Sequence, residues 1–104
     1  MRFFNWSGLG SSKSQADELS RAIAGELITI EWHEADKKHT AAWIAERKAL
    51  AAQKRLELRE GARYWFDQSE NEEINRLEHS IQWNEQIIAH AKNVILYRQQ
   101  RLSR

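Results

Sequence analysis

Apolar residues recur at a spacing of seven along the last third of the chain, at Ile74, Ile81, Ile88 and Ile95, and Leu102 continues the series. Leu77, Asn84, Ala91 and Arg98 each follow an isoleucine by three positions. This is the heptad pattern of a helix that packs along one seam, with apolar a positions and d positions that turn polar. Asn84 stands at a d position, where a buried amide fixes register while lowering stability. Ser69 and Glu72 have the spacing of a capping box just upstream, so a helix is predicted over about 70–101.

The preceding segment, about 29–66, is rich in Ala, Leu, Glu, Lys and Arg and predicts a first long helix, with Thr29 as a possible N-cap. Its opening stretch, residues 27–32, is β-branched enough for a strand. A two-stranded ribbon is marginal on its own, so helix is preferred. Asp67-Gln68-Ser69 would form the turn between the long helices, the alternatives being one continuous rod or a stop at Gly61 that leaves Tyr64, Trp65 and Phe66 in a packed connection. Ser14 is placed to cap a shorter helix over about 15–24 that Gly25 would end. Residues 7–14, Ser-Gly-Leu-Gly-Ser-Ser-Lys-Ser, have linker composition and set off Phe3, Phe4 and Trp6 as an aromatic arm. The expectation is an all-α antiparallel helical hairpin, coiled-coil-like, with a short N-terminal helix and a flexible arm over 1–14. Residues 15–104 would form a single helical domain.

Each long helix carries a second apolar face. On the first, Ala42, Ala45, Ala49, Ala52 and Leu56 share one side, while Ile44, Ala51, Leu58, Ala62 and Trp65 lie nearly opposite. On the second, Trp83, Ile87, His90, Val94 and Tyr97 follow at spacings of four, three, four and three, turned away from the isoleucine seam. A hairpin covers one face of each helix, and contiguous exposed apolar surface is unusual on a monomeric protein. A homodimer with a four-helix core is therefore expected, together with a protein partner. The candidate interface residues are Trp83, Ile87, His90, Val94, Tyr97, Ile44, Leu58 and Trp65. The hairpin seam would be Ile74, Leu77, Ile81, Asn84, Ile88 and Ile95, and the arm of Phe3, Phe4 and Trp6 is a third candidate surface. The alanine side would pack at the closest distance.

Charge supports antiparallel pairing. Residues 67–85 hold Asp67, Glu70, Glu72, Glu73, Glu78 and Glu85 against Arg76 alone, whereas residues 86–104 hold Lys92, Arg98, Arg101 and Arg104 and no acid. Folding the helices back on each other sets the acidic half beside Lys54, Arg55, Arg59 and Arg63, and the basic end beside Glu31, Glu34 and Asp36. Exposed pairs contribute tenths of a kcal/mol each, so they select orientation more than they stabilise.

The 104 residues bound the picture to one small unit, 30% of it charged, with a formal net charge of +1. That balance gives little overall attraction for nucleic acid or an anionic membrane. The absence of cysteine excludes disulfides, thiolate zinc sites and cysteine nucleophiles, and fits a cytoplasmic location. The aromatic N-terminus is too short to span a membrane. Proline is absent, which permits long helices.

Candidate chemistry is sparse. Glu31, His33, Glu34, Asp36 and His39 are the densest set of metal-capable residues, but only Asp36 and His39 show an i,i+3 pair and the second helix has no match, so no metal is expected. His39 and His90 fall in apolar stripes, as interface histidines do. There is no phosphate loop, nucleophile elbow or distinct acid–base pair, so neither enzyme activity nor a cofactor is expected. Arg98, Arg101 and Arg104, with Lys48, Arg55, Arg59 and Arg63, keep a nucleic-acid-binding dimer as the alternative. Five tryptophans in so short a chain favour protein recognition. The functional expectation is a non-enzymatic, self-associating hairpin that acts as adaptor, regulator or inhibitor of a partner protein, in the manner of a phage or plasmid accessory protein.

Overall fold

The computed structural model describes residues 3–103, with side chains from Lys13 onward. Two α-helices account for the fold, α1 (Phe3–Leu56) and α2 (Glu60–Leu102), packed against each other. The described residues contain no strand. Residues 27–32 are helical, in keeping with the marginal stability of a lone two-stranded ribbon.

The turn falls at residues 57–59, ten residues before the expected site at Asp67-Gln68-Ser69, which lies inside α2. Its chemistry explains why it is hard to read. Turns that end helices commonly use a glycine with positive φ, and the described residues include none. Instead, Glu57 N–H donates to the Lys54 carbonyl at 3.0 Å and Leu58 N–H to the Arg55 carbonyl at 3.2 Å, tightening the last turn of α1. The Arg63 Nε donates to the carbonyls of Arg55 and Leu58, both at 3.0 Å, so a side chain from α2 satisfies the C-terminal end of α1. Arg59 accepts the first backbone bond of α2, from Arg63 N–H at 3.0 Å. The first long helix therefore ends at Leu56 rather than 66, the second begins at Glu60 rather than 70, and Tyr64, Trp65 and Phe66 belong to α2.

The expected break near Gly25 is also absent. Helix α1 runs through residues 7–14 and through Gly25, where an added Cβ would meet nothing within 4 Å. One glycine lowers helix stability by about 1 kcal/mol, which flanking helix formers offset. Thr29 caps nothing: its hydroxyl donates back to the Gly25 carbonyl at 3.1 Å, the mid-helix habit of threonine. There is thus no separate helix over 15–24 and no linker. The side chains of Phe3, Phe4 and Trp6 lie outside the described residues.

The contacts divide into two compact units: His33–Ile87, and the residues on either side of it in sequence. In His33–Ile87 the two helices meet antiparallel along a heptad seam. Helix α1 contributes His33, Lys37, Thr40, Ile44, Arg47 and Ala51, at alternating spacings of four and three, all buried or half-buried. Helix α2 contributes Glu70, Ile74, Leu77, Ile81 and Asn84 in the same manner. The other unit pairs Ala16, Leu19, Ile23, Glu26 and Ile30 with Ile88, Ala91, Ile95 and Arg98. The alanine side of α1 is not the packing side: Ala42, Ala45, Ala49 and Ala52 are exposed, and Leu56 is 78% exposed. Alanine buries little apolar area, and the register that buries Ile44 instead removes more of it from water.

Candidate interaction surfaces

Polar side chains interrupt the seam at defined levels, and those of Asn84 and Arg47 find partners on the other helix. Asn84 is 1% exposed, and its amide can be oriented from its partners. Its Nδ2 donates to the Asp36 carboxylate at 2.7 Å and to the Ser80 carbonyl at 3.1 Å, two groups that only accept. Its Oδ1 therefore faces His33 Nδ1 at 2.6 Å, and that nitrogen carries the proton. The His33 ring meets Trp83 edge-on, with centroids 5.9 Å apart.

Arg47 and Glu70 form a second layer, a bidentate pair with Nε–Oε1 and Nη2–Oε2 both at 2.9 Å. The hydrogen bond to Glu70 raises the Arg47 pKa above its ordinary value, against partial desolvation. Glu73 lies 4.0 Å from Arg47 and is hydrogen-bonded by Arg76, one turn along. That bond holds Glu73 below the usual carboxylate range and raises Arg76 in return. Arg55 grips Asp67 next to the turn at 3.0–3.1 Å. Lys37 lies 3.8 Å from Glu85, and in the other unit Arg98 lies 3.6 Å from Glu26. The charges pair in the antiparallel sense that the sequence favours, but in a register set by the earlier turn.

Of the predicted seam, Leu77, Asn84, Ile88 and Ile95 are buried, and Ile74 and Ile81 are half-buried. The predicted interface residues scatter. Ile44 is 8% exposed and belongs to the seam, because the register turns it inward. Leu58 is half-buried in the turn, and Trp65, 72% exposed, sits on α2 rather than beside Ile44. Trp83 and Ile87 fall in His33–Ile87, while His90, Val94 and Tyr97 fall in the other unit. Trp83 and Tyr97 are about three-fifths exposed, His90 is exposed, and Ile87 and Val94 are half-buried. His39 is exposed as well; the histidine that enters the seam is His33. His33, Thr40 and Arg47 could have been found as one heptad row, but their polarity hides them from an apolar search.

The two flanks of His33–Ile87 differ in chemistry. On one, an open groove of about 460 Å³ is lined largely by polar side chains, among them Lys48, Arg55, Asn71 and Glu78. On the other, a smaller groove of about 210 Å³ is formed by Trp43, Leu50 and Phe66 with Arg47, Lys54 and Glu70 at its border. At the turn, Leu56, Tyr64 and Trp65 are 78%, 57% and 72% exposed, and the two aromatic rings meet edge-on at 5.0 Å.

Among the described residues, no three His, Asp or Glu side chains converge to hold a metal. No helix among them is long and apolar enough to cross a membrane. No protein-family model matches the chain. No curated protein matches it. No solved structure matches it either.

Proposed function

We propose that this protein is a non-enzymatic interaction module: a helical hairpin that associates with itself and uses a remaining aromatic surface to bind and regulate a partner protein. One observation carries the reading. Among the described residues, five apolar side chains are buried, Ile44, Leu77, Ile88, Ala91 and Ile95, whereas twelve large ones are 38% exposed or more. A fold that leaves twelve large apolar groups so exposed gains by covering them, at roughly 1.5–3 kcal/mol for each fully buried side chain. Tryptophan and tyrosine predominate among the most exposed, and these residues anchor protein interfaces. Leu56 and the Tyr64–Trp65 pair, on either side of the turn, are the surface we assign to the partner.

The alternative of nucleic-acid binding draws less support. Arg47, Arg55 and Arg98 are held by Glu70, Asp67 and Glu26, and Arg63 is bound to backbone carbonyls. These cations are already neutralised or occupied.

Sedimentation equilibrium across the micromolar range tests self-association, with a mass above that of one chain expected. A single copy at high micromolar concentration would refute it. For the partner, affinity capture is compared between the native chain and a Tyr64→Ala/Trp65→Ala variant of unchanged helix content. The expected result is a protein retained by the former and lost by the latter; identical captures would refute the assignment to the turn.

A further inference from the structure

On one flank of the α2 seam within His33–Ile87, the heptad positions c and g carry Phe66, Ser69, Glu73, Arg76, Ser80 and Trp83, the g residues half-buried and the c residues exposed. Read from either end, the order is aromatic, serine, charge, opposite charge, serine, aromatic. Phe66 and Trp83 stand equally far from the midpoint between Ile74 and Asn75, as do Ser69 and Ser80, and Glu73 and Arg76. A surface of this kind is its own complement under a two-fold rotation, which is the requirement of an isologous interface.

We propose that a second copy of the chain docks on this stripe, α2 against α2 in antiparallel orientation, with the two-fold axis passing between Ile74 and Asn75. The inference deepens the self-association proposed above and rests on it. The rotation sets Glu73 of each copy opposite Arg76 of the other, so two cross-copy ion pairs flank the axis. Arg76 already hydrogen-bonds Glu73 of its own chain and has a side chain 66% exposed, so the two acids and two arginines about the axis would form one alternating network. The serines meet one another between the charges and the aromatics, where small side chains let the backbones approach closely. At both ends Trp83 meets Phe66 of the other copy.

The geometry of that last contact supports the choice of occupant. Phe66 lines the 210 Å³ groove together with the apolar side chains of Trp43, Leu50 and Ala51, and borders the larger groove as well. Trp83 is 60% exposed and projects from the same flank of the seam, held at its inner edge by His33. Each copy therefore presents an indole at one end of the stripe and an apolar groove at the other, and the rotation places one into the other twice. The contact runs about 26 Å along each helix, from Phe66 to Trp83. Lys54, at the border of the groove, can lie over the rim of the inserted indole.

Two sets of variants of the full chain test the geometry, both followed by sedimentation with helix content monitored by circular dichroism. Glu73→Arg places like charges opposite each other at both central contacts, and dimerisation is expected to weaken roughly tenfold or more. Combining it with Arg76→Glu restores opposite charges in reversed order, and the dimer should return. Because the chain has no cysteine, Ser69→Cys and Ser80→Cys supply the second test. The two positions are about 16 Å apart on one helix, beyond a short bismaleimide, but adjacent across the axis. The double variant should crosslink to a covalent dimer, and each single variant should not. A dimer that ignores both charge variants and fails to crosslink overturns this docking while leaving self-association intact. A chain that stays a single copy throughout overturns both.

Discussion

His33 on α1 donates its Nδ1 proton to the Asn84 amide oxygen on α2 at 2.6 Å, across a heptad layer in which Asn84 is 1% exposed. A buried amide with three partners, His33, Asp36 and the Ser80 carbonyl, tolerates one register of the two helices and penalises the neighbouring ones.

Replacing Asn84 with alanine removes all three bonds and opens a void, so a loss of about 2–4 kcal/mol is expected in urea unfolding. Asn84→Leu fills the space, and His33 and Asp36, both partly exposed, can turn to water. That variant should unfold at or above the native midpoint but with poorer amide dispersion in its NMR spectrum, the mark of a less unique register.

The Arg47–Glu70 fork depends on guanidinium geometry, since two parallel bonds at 2.9 Å need a planar donor. Arg47→Lys keeps the charge and loses one bond. Its midpoint of chemical unfolding should fall below that of the native chain, and added salt should not restore it. Equal midpoints would show that charge alone matters at this level.

Gly25 lies within α1 with open space around its missing Cβ. Gly25→Ala should therefore raise stability by about 0.5–1 kcal/mol, through helix propensity and a less flexible unfolded chain. Thermal unfolding checks this. A decrease would mean that the position serves an interface needing close backbone approach.

Glu73 is held below the ordinary carboxylate range, chiefly by its hydrogen bond from Arg76. A depressed acid binds fewer protons folded than unfolded, so its contribution is present above the unfolded pKa and disappears as pH falls through the folded one. The native chain should be more stable than Glu73→Gln at neutral pH, with the gap closing as pH drops through and below the carboxylate range. A gap independent of pH would remove the charge from the explanation.

How much of this was legible beforehand depended on the chemistry of each position. The seam of α2 was visible because Ile74, Ile81, Ile88 and Ile95 are apolar without exception, and its d residues follow from them. The seam of α1 was not, because His33, Lys37, Thr40 and Arg47 occupy positions where an apolar residue is sought, and His33, Lys37 and Arg47 find their partners tens of residues away. The turn is poorly signalled because Arg63, not a glycine or a short polar cap, satisfies the end of α1, and Gly61, the alternative stop, lies in the first turn of α2. Ser69 and Glu72 have the spacing of a cap but lie within α2. Ile44 belongs to the seam because a register that buries it removes more apolar area from water than one that buries the alanine side.

The position of the turn also bears on how quickly the hairpin assembles. Within His33–Ile87 the cross-helix bonds span ever longer stretches of chain, 12 residues for Arg55–Asp67, 23 for Arg47–Glu70 and 51 for His33–Asn84. Each contact, once made, shortens the loop that the next must close, so the entropy of closure is met in small steps. The pair can thus zip from residues 57–59 outward, with the early rungs governing the rate of folding and Asn84, the last to join, governing the rate of unravelling.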